Sequence, residues 1–290
     1  MKITTARKCK LVSDTGFGGY DLCINPYVGC KFGCKYCYVR FFIKDEDEPW
    51  GNFLRVRSFL KEKLSKEIPN AQNQRVVLGT MTDPYQPQER KSRLTRECIK
   101  QLKGQAKEIG LFTRSPIVLD DTDLLVEAKV RVHLTITPFS KDVLKKIEPI
   151  PIPTKVRFKV LKKLVEAGVD CHVCVSPTLP ILSDGYRKEF IEQLAEIKPN
   201  GFTIDPMQCY GPSFRAVDES MGDDKEWIRC REIIRDKKLY KRWKAVDKWL
   251  WMKAWNKYKY DTFAIIMDHQ SKKRYSLTTG DEFDFLDFNY

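Results

Sequence analysis

Six short apolar runs, each rich in β-branched residues, alternate along the first two thirds of the 290-residue chain with longer segments of helical period. This alternation is typical of parallel strands joined by helical crossovers. The strands are predicted near 22–25, 75–79, 110–113, 130–135, 169–175 and 201–204, and the helices near 58–67, 92–109, 120–128, 140–147, 154–167 and 184–197. Six such units are too few for a closed barrel of eight. The pattern therefore predicts an α/β fold built on a parallel sheet.

Three cysteines follow the first predicted strand, separated by three and two residues: Cys30, Cys34 and Cys37. Three thiolates on one tight loop can bind three corners of a [4Fe-4S] cluster and leave the fourth iron open to a substrate or cofactor. Gly29 and Gly33 permit the positive φ angles that such a wrapped loop needs. A zinc loop and unconnected cysteines are the alternatives, although structural zinc sites usually take two separated pairs of ligands. The spacing favours the cluster.

Further segments with chemical character lie around this loop, within about residues 18 to 210. They include Asn25-Pro26-Tyr27, Thr82-Asp83-Pro84-Tyr85-Gln86-Pro87 with Glu89, Leu94-Thr95-Arg96, Thr113-Arg114-Ser115, Thr135-Ile136-Thr137 and Glu148-Pro149. Together with the cysteines, these segments resemble the radical S-adenosylmethionine (SAM) enzymes, and within them the branch that includes spore photoproduct lyase. The resemblance implies an open, partial (β/α)6 TIM-like barrel, a [4Fe-4S] cluster, SAM as cofactor and an external one-electron donor of the flavodoxin or ferredoxin type. In such barrels the chemistry lies at the carboxyl ends of the strands, where these segments fall.

The resemblance also implies roles for individual residues at this end of the barrel. Arg114 is expected to pair with the SAM carboxylate, because a guanidinium binds two oxygens at once; the lyases carry a lysine at this position. The other expected SAM contacts are Thr135 and Thr137 at the ribose, Thr82 with Asp83 at the methionyl amine, and Ser176 and Tyr36 around the adenine. For each of these polar residues, ordinary capping of a strand or helix end is the alternative interpretation.

One difference separates the chain from the lyase that it resembles. The lyase has a cysteine just after its second strand that donates a hydrogen atom to the product, and the corresponding residue here is Thr80. An O–H bond is too strong to donate a hydrogen atom readily. Repair of spore photoproduct is therefore not expected of this chain.

Two further cysteines and one histidine are candidate catalytic residues: Cys171, Cys174 and His133. On a strand, a spacing of three places the two cysteines on opposite faces, so they are not expected to bind one metal. Whichever of them faces inward can serve as a hydrogen-atom donor, whereas buried cysteines more often act as small apolar residues. His133 is expected either as an acid or base or as a core histidine. Cys209 and Tyr210 follow the last predicted strand and are expected to border the pocket.

Residues 1–211 are predicted to form the barrel, and residues 212–290 a basic, tryptophan-rich extension. Of the net charge of +13, +9 lies within residues 225–260, where 13 Lys and Arg face four Asp and Glu, together with five of the six tryptophans. Nucleic-acid-binding surfaces combine such cations with flat rings. The segment is predicted as one long helix over 225–257. Apolar residues recur along it at helical spacing, which favours a packed stripe with a solvated basic face; they are Leu239, Trp243, Val246, Leu250 and Ala254.

A strand pair is predicted over 262–267 and 274–277, expected either to cover the barrel mouth or to form a dimer contact. No segment has the apolar length of a membrane span, and the N-terminus lacks the apolar core of a secretion signal. A cytoplasmic protein without disulfides is therefore expected.

Three functions fit these observations. The leading hypothesis is a radical SAM enzyme that modifies an anionic substrate, such as a nucleic acid or nucleotide, because the extension is basic. The second is a radical SAM enzyme that acts on a small metabolite or peptide, including transfer of the aminocarboxypropyl group of SAM. The third is a non-catalytic iron-sulfur module that binds nucleic acid.

Overall fold

A computed structural model describes residues 2–7, 9–17, 19–43, 48–207, 211–256, 263–267 and 274–277 of the protein. The strands are β1 Lys2–Thr5, β2 Val12–Asp14, β3 Leu22–Ile24, β4 Tyr27–Val28, β5 Phe53–Val56, β6 Arg75–Leu78, β7 Glu108–Thr113, β8 Arg131–Thr135, β9 Asp170–Thr178, β10 Gly201–Pro206, β11 Phe263–Met267 and β12 Arg274–Leu277. The helices are α1 Leu60–Glu67, α2 Glu89–Ser92, α3 Leu94–Leu102, α4 Thr122–Glu127, α5 Lys141–Ile147, α6 Thr154–Glu166, α7 Arg187–Ile197, α8 Gly211–Met221, α9 Lys225–Arg235 and α10 Lys237–Asn256. Short 3-10 helices span Tyr38–Phe41, Ile68–Ala71, Pro116–Asp121 and Asp184–Tyr186.

Within the described residues, nine strands form one sheet in the order β12-β11-β10-β9-β8-β7-β6-β3-β2. Seven neighbouring strands of this sheet pair in parallel: β3, β6, β7, β8, β9, β10 and β11. Strands β2 and β12 pair in antiparallel fashion at its two edges. A smaller sheet, β1-β5-β4, holds the start of the cysteine loop. The prediction of a partial (β/α) barrel is confirmed, because helical crossovers connect the parallel strands.

The predicted C-terminal strand pair is present, but it lies at the edge of the barrel sheet. Strand β11 pairs in parallel with β10, with Gly201 opposite Phe263 and Phe202 opposite Ala264, and β12 then pairs with β11. The hairpin therefore adds a seventh parallel strand to the six that were predicted. The two expected positions, over the barrel mouth or at a dimer contact, did not include the edge of the barrel sheet.

Three apolar cores are present in the described residues, a small one around the cysteine loop and two large ones. The larger of these two lies between the sheet and the outer helices, and the side chains that α1, α3, α4, α6 and α7 bury in it include Leu64, Ile99, Leu125, Leu161 and Leu194. The smaller lies beside the carboxyl ends of β9 and β10, and the residues that α5, α8 and α9 bury in it include Ile147, Val217, Trp227 and Cys230. The second core fixes the C-terminal helices next to the rim where the chemistry was expected.

The helices of this extension differ from the prediction in two ways. The single helix predicted over 225–257 is wrong, because the chain breaks at Asp236, whose backbone is extended. The Asp236 carboxylate accepts hydrogen bonds from the backbone N–H groups of Lys238 (2.9 Å) and Leu239 (3.0 Å) and so caps a new helix. In addition, α8 was not predicted.

The packed stripe predicted along α10 is confirmed at Trp243, which is partly buried against the smaller core, but is wrong at Leu239 and Val246. Leu239 and Val246 are 46% and 48% exposed, whereas Tyr240, Asp247 and Trp251 are buried. Trp251, like Trp227 on α9, is fully buried, so these two rings pack the extension as expected. The side chain of Trp255 and the whole of Cys209 and Tyr210 lie outside the described residues. None of the helices in the described part of the chain has the length and apolarity to cross a membrane.

Candidate active site

A cavity of about 810 Å³ runs through the inside of the barrel, from Arg75, Glu108 and Arg131 near the amino ends of the strands to Ser176 and Asp205 near the carboxyl ends. Its volume lies within the range of ligand-binding pockets. Eleven of the predicted site residues line it: Cys30, Cys34, Tyr36, Cys37, Thr82, Asp83, Arg114, His133, Thr135, Cys174 and Ser176. Two predicted site residues, Thr137 and Cys171, lie elsewhere.

Side chains from three directions hold the backbone of the cysteine loop. The Thr82 hydroxyl donates to the carbonyl of Gly29 (2.6 Å), and the Gln86 side-chain carbonyl accepts from the N–H of Lys31 (2.9 Å). Arg40 donates to the carbonyls of Gly33 and Cys34 (3.3 Å each). The loop conformation is thus fixed independently of the cysteine sulfurs.

The loop glycines are required by both conformation and space. Gly33 has φ +56°, and a Cβ there would lie 3.0 Å from the Cα of Gly51. Gly29 has φ +86°, and a Cβ there would lie 2.6 Å from the carbonyl oxygen of Phe53. Because these neighbours are backbone atoms, neither position accommodates a larger residue without displacing the loop.

A buried ion network lies directly behind Cys34. One Nη of Arg114 donates to the Cys34 sulfur (2.6 Å), and the other donates to the Glu148 carboxylate and to the carbonyl of Ile150 (3.2 Å). Arg157 binds the same Glu148 oxygen (2.5 Å), and the Tyr36 hydroxyl donates to the other one (2.6 Å). Glu148 and Arg157 are completely buried, and Arg114 is 6% exposed. Arg114 therefore contacts the cysteine loop and also lines the cavity, and its expected role at the SAM carboxylate stays a prediction.

The three cysteines fit an iron-sulfur cluster by their chemistry. All are free thiols that line the same cavity, and Arg114 supplies a cation and a hydrogen-bond donor beside one sulfur. Burial raises the pKa of each thiol, that of Cys37 to about 12, so metal binding must displace the protons. A four-iron cube binds its ligands at separate corners. Within the described residues, no three His, Cys, Asp or Glu side chains converge on a single point.

Asp83 lines the cavity, and both of its carboxylate oxygens accept hydrogen bonds from residues at the rim of the barrel. Its Oδ1 accepts from the N–H of Tyr85 (2.9 Å) and the hydroxyl of Thr113 (2.7 Å), and its Oδ2 accepts from the N–H of Arg114 (3.0 Å). Burial raises the pKa of Asp83, and these hydrogen bonds oppose that shift. Asp83 thus joins the ends of β6 and β7 and positions Arg114.

Polar side chains form an inner layer across three neighbouring strands. Thr135 of β8, Cys174 of β9 and Thr203 of β10 are adjacent by strand register, and all line the cavity. Toward the rim, the Ser176 hydroxyl lies 3.5 Å from the Asp205 carboxylate. Ser176 was expected after its strand but lies within β9.

The two site residues outside the cavity have structural partners. Thr137 is fully buried, and its hydroxyl accepts from Arg157 (3.2 Å). Cys171 lies in the larger core on the opposite face of β9 from Cys174. The prediction that the two cysteines face opposite ways is confirmed.

His133 lies deeper in the barrel, two residues before Thr135 on the same face. Its ring stacks on Phe112, with centroids 4.2 Å apart, and its Nε2 lies 2.7 Å from the hydroxyl of Tyr20. Burial lowers the pKa of His133 to about 3, so the imidazole is neutral at physiological pH. These contacts favour the core interpretation.

Four residues that support the cysteine loop received no role from the sequence: Arg40, Gln86, Glu148 and Arg157. Glu148 and Gln86 both belong to segments that resembled the radical SAM enzymes, which was the available signal. Arg157 lies in the first turn of α6 and, like Arg40, had no such signal. Only the fold brings it to Glu148.

Comparison with known proteins places this site in a family. The model of the Radical SAM superfamily matches residues 24–206. An uncharacterized protein of Methanocaldococcus jannaschii is 33% identical over 203 residues, which are 69% of this chain and 74% of that protein. An uncharacterized protein of Acidianus two-tailed virus is 32% identical over 202 residues, 65% of each chain. The chain belongs to the radical SAM superfamily.

Solved structures show the same fold. Spore photoproduct lyase complexed with dinucleoside spore photoproduct has a TM-score of 0.60 and 18% identity, over 76% of this chain and 66% of that one. A variant of the lyase with bound AdoMet and the same dinucleoside has a TM-score of 0.57 and 18% identity, over 75% and 65%. This chain thus spans just under two thirds of the lyase. By its family, this chain is a radical SAM enzyme, with a [4Fe-4S] cluster and SAM as cofactors.

Proposed function

We propose that this enzyme cleaves SAM reductively and uses the resulting radical to modify a nucleic acid. When bound, the cluster and SAM supply the electron transfer and the radical, while the protein supplies binding and orientation. The observation that carries the substrate proposal is the position of the basic C-terminal helices beside the cavity.

The cluster ligands in this proposal are Cys30, Cys34 and Cys37. Arg114 stabilises the negative charge of the thiolate at Cys34, and Tyr36 and Glu148 hold Arg114 in place. SAM binds along the lining formed by Tyr36, Thr82, Asp83, Arg114, Thr135 and Ser176. Thr137 acts indirectly, through Arg157.

Cys174 is the proposed hydrogen-atom donor, since its side chain lines the cavity and Thr80 has no thiol. Burial raises the pKa of Cys174 to about 12, so the sulfur keeps the hydrogen that it must donate. The S–H bond breaks as a C–H bond forms on the substrate radical, and the thiyl radical then takes up one electron from the external donor and one proton from solvent. Lys31 and Lys35, half-exposed on the cluster loop, favour an acidic donor of the flavodoxin or ferredoxin type.

The basic helices reach the cavity at the carboxyl end of β10. The Tyr240 hydroxyl of α10 donates to the carbonyl of Met207, a residue that lines the cavity (2.5 Å). Exposed cations extend from this contact along α9 and α10: Lys225, Arg229, Arg235, Lys237, Lys238, Lys241, Arg242 and Lys253. A cationic surface that begins at a catalytic cavity complements a phosphate backbone.

The chemistry is tested with reduced, reconstituted protein and SAM. We expect 5'-deoxyadenosine, whereas methylthioadenosine would indicate aminocarboxypropyl transfer, and no SAM consumption would overturn the enzymatic proposal. Cys34→Ala is expected to lose bound iron and acid-labile sulfide, whereas Cys9→Ala, at an exposed cysteine, retains them.

The substrate class is tested by the salt dependence of oligonucleotide binding. The pair Lys238→Gln and Lys241→Gln is expected to reduce the slope of log K against log salt by about 1 to 2, because each phosphate contact contributes about 0.7 to 0.9. The control pair, Lys61→Gln and Lys100→Gln on α1 and α3, removes the same charge and is expected to leave the slope unchanged. Absence of binding by the unmodified protein at low salt would refute a nucleic-acid substrate.

A further inference from the structure

Three aromatic side chains form a wall at the edge of the cavity, directly after the last cluster cysteine. Tyr38 and Phe41 belong to the 3-10 helix Tyr38–Phe41, and Phe42 follows it. All three line the cavity, and they are 39%, 37% and 70% exposed, respectively. We name Tyr38, Phe41 and Phe42 the ring wall.

Two of the three rings, Tyr38 and Phe41, are anchored to neighbouring segments. The Tyr38 hydroxyl donates to the carbonyl of Thr80, at the end of β6. Phe41 packs so closely on Gly211, the first residue of α8, that a Cβ on that glycine would overlap its ring. Phe42 meets the ring of Tyr38 edge to face, with centroids 6.3 Å apart at 79°. The most exposed ring, Phe42, therefore packs against an anchored ring.

Helix α8 connects the ring wall to the basic helices α9 and α10. The Ser213 hydroxyl of α8 donates to the carbonyl of Cys37 (2.8 Å), and α8 packs with α9 and α10 in the smaller core. Flat apolar rings thus line the catalytic cavity and contact α8, which packs against the helices that carry the cationic surface. This combination complements a strand whose phosphates bind the cations while a base stacks on a ring.

We propose that the ring wall, with Phe42 at its exposed end, is a stacking site for an unpaired base of a nucleic-acid strand. This inference rests on the proposed function and adds that the substrate strand is single-stranded or locally unpaired near the reacting nucleotide. A duplex keeps its base faces covered by neighbouring bases, so a ring can stack only on a base that has left the stack.

The test uses the full chain, reconstituted with cluster and SAM, and short single-stranded oligonucleotides that carry the fluorescent base 2-aminopurine. The unmodified protein is expected to quench the probe. Phe42→Leu keeps an apolar side chain without a flat ring and is expected to lower affinity by about 5- to 150-fold and to abolish quenching. Phe42→Tyr, which restores a ring, is expected to retain both. Val126→Ala, at an exposed apolar residue of α4, is the control and is expected to behave like the unmodified protein.

The possible outcomes separate this inference from the proposed function. Salt-dependent binding with equal affinity and quenching for Phe42→Leu would overturn the stacking site and leave the substrate class standing. Equal or tighter binding of a fully paired duplex would also overturn it. Failure of the unmodified protein to bind any oligonucleotide would refute both proposals.

Discussion

Neutralisation of Glu148 tests the ion network behind the cluster loop. Glu148 is completely buried, one of its oxygens binds both Arg114 and Arg157, and the other accepts from Tyr36. The substitution Glu148→Gln keeps the volume but leaves two buried guanidinium groups without a counter-charge. Removal of one partner from a buried ion pair typically costs about 3 to 5 kcal/mol.

This cost translates into a measurable shift of unfolding. With a urea m value near 3 kcal/mol/M, Glu148→Gln is expected to lower the midpoint by about 1 to 2 M. Tyr36→Phe removes one hydrogen bond to the same carboxylate but keeps the ion pairs, so about 1 to 2 kcal/mol is expected. Circular dichroism of the cluster-free protein measures both, which separates folding from metal binding.

A matched control has the same chemistry at the surface. Glu127 is 60% exposed and pairs with Lys103, so Glu127→Gln is expected to lower the free energy of unfolding by less than about 1 kcal/mol. If Glu148→Gln costs no more than this control, the carboxylate does not serve as the counter-charge for the two arginines. The account of how the loop is supported would then be wrong.

Two further substitutions test local features. Gly33→Ala places a Cβ against backbone atoms at a residue in the left-handed region. It is expected to lower the free energy of unfolding by more than Gly104→Ala, because Gly104 has φ +74° and open space around it, so that only the backbone strain of about 1 to 2 kcal/mol applies there. Equal urea midpoints for the two variants would show that the loop adjusts. Asp224→Asn keeps the N-cap of α9 but removes the charge that pairs with Lys146, so about 0.5 to 1 kcal/mol is expected at pH 7. The Lys146 hydrogen bond lowers the pKa of Asp224 below its usual value of 3.8, so this stabilisation is present above pH 4 and is lost as pH falls through the lowered pKa. A difference between the two proteins that does not change with pH would contradict the assignment.

The barrel strands could be predicted from sequence because local pattern determines them. Runs such as Arg75–Leu78 and Arg131–Thr135 are short, β-branched and bounded by turn residues, and their parallel arrangement brings their carboxyl ends to one rim. The partner of β11 could not be predicted. Its pattern indicates a strand, but pairing with β10 depends on which sheet edge the folded chain leaves open.

Helix ends in the extension were harder to predict because breaker residues also start and stop helices. Gly211, Pro212 and Gly222 within a polar segment are typical of an irregular stretch, yet Pro212 lies in the first turn of α8 and Gly222 directly follows its end. Proline at a helix start and glycine after its end are the usual arrangement. Asp236, within an otherwise helical pattern, similarly begins a helix and does not continue one.

Long-range partners account for the error on α10 and for the contacts of Arg114 that the sequence did not predict. The sequence favoured Leu239 and Val246 as the packed face of α10, but the buried face carries Asp247, which accepts from Arg187 (2.7 Å) and Thr178 (2.9 Å). A buried carboxylate is stable only with such partners, and both lie more than 50 residues away. Arg114 likewise faces Cys34 because Glu148 and Arg157, remote in sequence, hold it there.

The family match and the basic helices occupy different parts of the chain. The match spans residues 24–206 and ends at Pro206, the last residue of β10. The described chain resumes at Gly211 in α8, whose Ser213 binds the backbone of Cys37, and continues into the basic helices. The proposed cluster ligands therefore lie inside the shared family region, and the cationic surface lies outside it. Since the ring wall packs against the first residue of α8, the geometry that we assign to the base depends on the segment that follows the family match.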